Sequence, residues 1–288
     1  MTVVRANVLG FCMGVRRAVD LAEAEARRGF PVYTLGPLIH NPKVLSDLKT
    51  LGVQETDELP QFAQGSGGVS VIIRAHGIEP DIEAELRGRG FHIADATCPN
   101  VKASQLKAEE LTRKGYCIFL AGEANHAEIK GIMGYAKDTV FCEVAGNAAE
   151  AGKIAKKLYA ANSNAKTAIL GQTTISEKEY REISEAVKLF FPNLEVVQTI
   201  CAATKERQQA MCDLLDQVDA VIVAGGKDSA NTRRLLAIAQ ESGKPCALAE
   251  EPSEIPAEFF NYEKVGLCAG ASTPDSIIND IEQKLILN

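Results

Sequence analysis

The chain has 288 residues, with 31 Lys and Arg against 38 Asp and Glu, a formal charge of -7 at neutral pH. Hydrophobic residues make up 46% and charged ones 24%, ordinary globular usage that excludes disorder, collagen-like repetition and coiled coil. Without a Lys/Arg-rich block, an acidic chain is a poor partner for nucleic acid or an anionic membrane, so any bound anion must be held locally. The longest apolar runs, such as Tyr116 to Ala121 and Ala220 to Ala224, fall far short of the roughly 20 residues that cross a bilayer. The N-terminus has no basic start and continuous apolar stretch of an export signal, which points to a cytoplasmic protein. Its eight cysteines are then reduced thiols, to be explained by metal, catalysis or burial.

Taken in chain order, short β-branched runs near 2–8, 31–35, 70–74, 91–95, 116–121, 139–144, 166–171, 195–200, 219–224, 245–249 and 264–269 predict strands, most separated by a helix-length segment. That rhythm specifies an α/β protein with mostly parallel sheets. Three times a strand runs into a cysteine that opens a helix: Val3 to Cys12, His92 to Cys98, and Val196 to Cys201. After Cys12, Val15, Val19, Ala22 and Ala26 fall on one helical face; after Cys201, Ala210, Met211, Leu214, Leu215 and Val218 do the same. Pro99 suits the first helical turn after Cys98. The repetition predicts three similar α/β sub-domains, 1–96, 97–197 and 198–288, each contributing one cysteine, with small sheets around a pseudo-threefold axis and a central cluster.

Two further strand-to-helix elbows accompany each cysteine. They are Gly36 to Pro42, Arg74 to Gly77, Gly122 to Glu128, Gly171 to Ser176, Gly225 to Thr232, and Gly270 to Pro274. Asn41 before Pro42, Thr273 before Pro274, and Ser176 with Glu179 are expected caps. Ligands of open α/β sheets bind outside the carboxyl ends of strands, where helix N-termini present unpaired N–H groups.

Three distant cysteines at equivalent positions match no Cys-x-x-Cys zinc pattern; they fit a 4Fe-4S cluster with three irons ligated by Cys12, Cys98 and Cys201 and the fourth open to substrate. Cys117, Cys142, Cys246 and Cys268 sit in apolar strands and Cys212 on a helix, and read as buried thiols. Three of the four histidines, His40, His76 and His126, lie in elbows, whereas His92 alternates within a strand and reads as an ordinary packed or edge residue. With Ser229, Asn231 and Ser272 they make a donor set suited to a phosphate or diphosphate, to which Arg74 and Lys227 can add charge. Glu128 is the elbow carboxylate placed to donate a proton, its ionised form disfavoured beside a bound anion and a reduced cluster, and Thr173 and Thr174 can hydrogen-bond it or a substrate hydroxyl. A 4Fe-4S hydro-lyase would use the same open iron without net reduction, and an iron-sulfur sensor would need only the cluster and a partner surface.

The runs Gly-Phe-Cys12-Met-Gly-Val-Arg-Arg-Ala, Gly-Pro-Leu-Ile-His40-Asn, Ala-His76-Gly, Asp-Ala-Thr-Cys98-Pro, His126-Ala-Glu128-Ile, Gln-Thr173-Thr, Ile-Cys201-Ala-Ala-Thr and Gly-Ala-Ser272 resemble, in order and from end to end, the 4-hydroxy-3-methylbut-2-enyl diphosphate reductase family. The resemblance implies three α/β sub-domains around a 4Fe-4S cluster and reductive dehydroxylation of that diphosphate to isopentenyl and dimethylallyl diphosphate, in the non-mevalonate isoprenoid route. It makes Cys12, Cys98 and Cys201 the cluster ligands, and His40, His76, His126, Ser229, Asn231 and Ser272 the diphosphate pocket. Glu128 becomes the proton-delivering acid and Thr173 its hydroxyl-binding neighbour. Asp228-Ser229-Ala230-Asn231 departs from the family's Asn-Ser-Ser-Asn, His126-Ala127-Glu128 from His-Pro-Glu, and Leu9 from a common basic residue. No Gly-x-Gly-x-x-Gly opens a helix, so electrons are expected from an external ferredoxin or flavodoxin.

Overall fold

The computed structural model describes residues 1–56, 58 and 68–287. In chain order the described elements are β1 (Thr2–Arg5), α1 (Met13–Ala26), β2 (Val32–Leu35), α2 (Pro42–Thr50), β3 (Val53–Thr56), β4 (Ser70–Ile73), α3 (Pro80–Gly88), β5 (His92–Asp95), α4 (Pro99–Arg113), β6 (Cys117–Ala121), α5 (Ala127–Tyr135) and β7 (Cys142–Ala145). They continue with α6 (Ala148–Ala161), β8 (Thr167–Gly171), α7 (Glu177–Lys188), β9 (Glu195–Val196), α8 (Ala202–Leu215), β10 (Ala220–Ala224), α9 (Ala230–Glu241), β11 (Cys246–Ala249), β12 (Lys264–Ala269) and α10 (Asp275–Ile286).

The strands form three four-stranded sheets, ordered β3-β2-β4-β5, β7-β6-β8-β9 and β1-β12-β10-β11, and every pairing is parallel. The α/β class follows from the sequence rhythm, because parallel neighbours need a crossover and helices supply it. Within each sheet β4, β6, β8 and β10 are buried along their whole length, as strands covered on both faces must be.

Counted from its first strand, each sheet runs second-first-third-fourth, provided that β1 is taken as the fourth strand after β10, β11 and β12. Thr2 pairs with Lys264 and Arg5 with Leu267, so the N-terminal strand completes the sheet of the last third. It does not join the β2–β5 sheet that occupies the rest of 1–96. The strand Val53–Thr56 was not expected; Val-Gln-Glu-Thr has one buried side chain at a sheet edge and so carries almost no hydrophobic pattern.

Two compact units emerge from the distribution of contacts. One comprises Met1–Val19, Ile39–Thr50 and Ala202–Asn288; the other comprises Asp20–Leu38 and Leu51–Cys201. The first holds the β1-β12-β10-β11 sheet, with Ile222, Leu267, Ile278 and Ile281 in its core. The second holds the other two sheets, with separate cores around Phe119, Ile169 and Ile183, and around Val71, Ile73 and Leu86.

Candidate active site

Each sheet delivers three elbows at the carboxyl ends of its strands. After the first strand come His40, His126, and Ser229 with Asn231; after the third come His76, Thr173 and Ser272; after the fourth come Cys98, Cys201 and Cys12. The predicted site residues are thus topological equivalents in three sheets, which a linear search for short motifs does not reveal.

Each cysteine stands immediately before a helix. Cys98 is the N-cap of α4 with Pro99 at its first position, and the Asp95 carboxylate turns the chain toward it by accepting the Thr97 N–H at 2.8 Å. Cys201 comes five residues beyond the end of the short β9, so that strand does not run to the cysteine as expected. Thr199 bridges the interval: its Oγ1 accepts from Gly171 N–H at 2.8 Å and donates to Gly171 C=O at 2.7 Å, extending the sheet edge by side chain. Cys12 is reached through Gly10, whose φ of 79° lies in the left-handed region where a side chain is strained. Cys12 N–H donates to Ala271 C=O at 3.0 Å, and its Sγ accepts from Val15 N–H at 3.5 Å. All eight cysteines are reduced thiols, and Cys12, Cys98 and Cys201 are half-buried. Of the other five, expected as buried thiols, only Cys117 and Cys268 are buried; Cys142 and Cys246 are half-buried because β7 and β11 are edge strands, and Cys212 is exposed on α8. Burial pushes Cys117, Cys212 and Cys246 up, and raises Cys142 and Cys268 to about 12.

In the second unit, Glu128 and Thr173 meet. Thr173 N–H donates to Glu128 Oε1 at 2.6 Å and its hydroxyl to Oε2 at 2.9 Å. Glu128 is 1% exposed, and burial pushes its carboxyl up to about 7, although both Thr173 bonds pull the other way. Burial by protein supplies this shift, where the sequence reading invoked a bound anion and a cluster. Thr173 C=O also accepts the Cys201 N–H at 3.1 Å, so one residue links a cysteine elbow to the buried acid.

His126 caps α5. Its Nδ1 accepts the Glu128 N–H at 3.2 Å, which leaves Nε2 as the protonated nitrogen of the neutral ring. The His76 ring meets the His126 ring edge-on, with centroids 5.3 Å apart and planes at 87°. Gln172 was given no separate role by the sequence, yet it is fully buried. Its Oε1 accepts Glu123 N–H at 3.1 Å and its Nε2 donates to Thr174 Oγ1 at 3.0 Å, tying the two elbows that carry Glu128 and Thr173. Only its position between Gly171 and Thr173 could have signalled this.

In the first unit, the elbow after β12 packs on His40 and on the start of α9. Ser272 Oγ donates to His40 C=O at 3.2 Å. A Cβ on Gly226 would lie 2.5 Å from that carbonyl oxygen, so the chain there must be glycine. Asn41 caps α2 as expected, its Oδ1 accepting Val44 N–H at 3.1 Å. Ser229 caps α9 through Thr232 N–H, whereas Thr273 does not cap α10: its hydroxyl donates to Ala224 C=O and Pro274 takes the cap position. Asn231 is 4% exposed, and neither its Nδ2 nor its Oδ1 has a hydrogen-bond partner. An orphaned amide in the first turn of a helix is the expected signature of a polar ligand's seat. Lys227 turns to Glu254 at 2.5 Å, which removes it from the anion-binding set that the sequence allowed. His92 lies in the edge strand β5, 2.9 Å from Arg28 Nη1, as an ordinary edge residue.

The sequence matches the LytB protein family over residues 3–286. A 4-hydroxy-3-methylbut-2-enyl diphosphate reductase of Treponema denticola is 44% identical, with 99% of each chain covered. One of Aquifex aeolicus is 39% identical, covering 98% of this chain and 95% of its own. Among solved structures, an (E)-4-hydroxy-3-methyl-but-2-enyl diphosphate reductase described as the terminal enzyme of the non-mevalonate pathway superposes over the whole of both chains, with TM-score 0.72 and 38% identity. The E-1-hydroxy-2-methyl-but-2-enyl-4-diphosphate reductase of Plasmodium falciparum superposes with TM-score 0.91 at 27% identity, over all of this chain and 88% of its own.

Proposed function

The chain belongs to the LytB protein family and is an oxidoreductase, and from that premise we propose that it reduces 4-hydroxy-3-methylbut-2-enyl diphosphate to isopentenyl and dimethylallyl diphosphate. The balance is one allylic alcohol, two electrons and two protons giving one alkene and one water. The observation that carries the reading is the Thr173 junction, which holds a buried, protonatable Glu128 by two bonds and the Cys201 backbone by a third.

The donor set fits a 4Fe-4S cluster. Three half-buried thiols close the fourth strand of each sheet and stand at helix starts, while the five remaining cysteines are placed in strands or within a helix. Held by Cys12, Cys98 and Cys201, such a cluster would supply an open Lewis-acidic iron for the hydroxyl and a route for electrons from a ferredoxin or flavodoxin. The remaining work falls to the protein. Glu128 retains its proton near neutral pH and gives it to the departing hydroxyl, which leaves as water. Thr173 fixes both carboxyl oxygens, so the proton is aimed as well as held. Protonation at either end of the allylic system sets which product forms.

The diphosphate is assigned to His40, His76, His126, Ser229, Asn231 and Ser272. Asn231 supports this assignment best, since a bound oxyanion would satisfy its amide N–H groups. His126 offers Nε2–H as a neutral donor, a suitable contact for a phosphate in an acidic chain. The test is anaerobic purification with iron and sulfide analysis, followed by dithionite-driven turnover of the diphosphate. About four irons and four sulfides per chain and formation of both alkenyl diphosphates are expected. Cluster without turnover would favour a sensor, and no iron at all would defeat the proposal.

A further inference from the structure

Arg207 lies on α8 and is 3% exposed. Its Nη2 donates to Gly10 C=O at 2.7 Å and its Nη1 to Ala203 C=O at 2.9 Å, while Nε has no partner. Among the described residues no carboxylate pairs with it. Cys268 feels its charge, yet burial holds that thiol up at about 12, so Cys268 stays neutral and is no counter-ion. A guanidinium taken out of water without an anion is among the costliest groups a fold can carry. Its grip on Gly10 gives the cost a purpose. Gly10 is the left-handed residue two positions before Cys12, and from there the chain is held again by Cys12 N–H on Ala271 C=O.

We propose that Arg207 is a positioning residue for Cys12 and supplies the buried positive charge that balances an anionic, thiolate-ligated iron-sulfur centre. The charge half rests on the cluster reading above; the positioning half rests on the Gly10 bond alone. A cubane core bound by three thiolates is anionic and becomes more so on reduction, so a nearby fixed cation favours the reduced state.

The experiment uses the full chain with Arg207→Met and Arg207→Lys, each reconstituted anaerobically. R207M is expected to move the cluster's one-electron midpoint to a more negative potential by at least about 59 mV, a tenfold change in the reduction equilibrium. R207K, which keeps the charge, is expected to stay within that bound. In metal-free protein both variants are expected to exchange the Cys12 amide at least tenfold faster, because neither side chain can grip both carbonyls. An unmoved midpoint in R207M, or an equal shift in R207K, would overturn the assignment of charge. Unchanged amide exchange would overturn the positioning role. If R207M does not fold, Arg207→Gln carries the same comparison. A wild-type chain that takes up no cluster would refute the proposed function and the charge role with it, leaving amide exchange to decide on Cys12.

Discussion

Two glutamates in the same compact unit are both shielded from solvent, Glu128 the more deeply, and their carboxyls are pushed in opposite directions. Glu128, 1% exposed, sits beyond the carboxyl ends of β6 and β8 and, among the described residues, its carboxyl receives bonds only from Thr173. Glu25, 6% exposed, sits at the amino ends of β4 and β5. There burial works to raise its carboxyl, but the Ser70 hydroxyl at 2.8 Å, Arg28 at 3.0 Å and His92 at 3.5 Å together hold it below the ordinary range. Burial does not decide alone: the Ser70 hydroxyl first, and then Arg28 and His92, favour the charged form of Glu25 over its desolvation, whereas the Thr173 bonds do not outweigh the deeper burial of Glu128. The amino end of the strands uses its acid as an anchor for α1, and the carboxyl end keeps an acid with no cation beside it. A group that must hold a proton near neutral pH belongs in the second setting.

The sharpest way to break this contrast is to neutralise each acid by an isostere. Glu128→Gln is expected to retain iron and sulfide and lose about 10²–10⁴-fold in turnover, the usual span for a general acid. Glu25→Gln is expected to leave turnover within about twofold but to cost about 1–3 kcal/mol of stability, since it uncouples a buried hydrogen-bonded charge. Dithionite-driven turnover and chemical unfolding check both. Equal losses of turnover in the two variants would erase the distinction.

Stability against pH separates them next. Glu128 is raised from 4.5 to about 7, so the folded state holds a proton that the unfolded chain has lost. Stability should fall as pH rises from about 4.5 to about 7, by about 3 kcal/mol, and stay flat above. Glu25 is lowered, so its contribution is present above pH 4.5 and is lost as pH falls through its folded value. E128Q is expected to remove the decline on the neutral side, and E25Q the decline on the acid side. Urea midpoints across about pH 2 to 8 in metal-free protein would show it; an unchanged neutral-side slope in E128Q would place the titration elsewhere.

This contrast was only half legible in the sequence. Glu128 lies in a recognisable elbow, and Ser176 with Glu179 forms the capping box that its spacing announces. Cys98 with Pro99 opens a helix for the same local reason. Glu25, Gln172 and Arg207 escape such reading, because their partners Ser70, Glu123 and Gly10 lie 45, 49 and 197 residues away. The placement of β1 escapes for a related reason. Its pattern says strand, but only sheet closure decides that the partner is β12 at the far end of the chain.

Thr173→Val sharpens the comparison within Glu128's own setting. Valine keeps the shape and the backbone N–H on Oε1 but deletes the hydroxyl on Oε2, a bond that favours the ionised form. The proton should therefore be held to still higher pH, and the basic limb of the turnover profile should move upward. Turnover at pH 7 is expected to fall about tenfold through the lost aim of the carboxyl, about 1.4 kcal/mol. A basic limb that moves downward would show that the hydroxyl stabilises the neutral acid.

Asn231→Leu carries the comparison to a neutral group with no partner at all. Its amide is buried and unsatisfied, so an apolar replacement of similar size should raise stability by about 1 kcal/mol. The same change should raise KM for the diphosphate about tenfold while kcat moves less, because the lost contact acts on bound substrate before reaction. Stability and affinity would then move in opposite directions, as they must where an unpartnered group is kept for a ligand. A variant that loses stability without changing KM would instead make Asn231 a packing residue of the α9 cap.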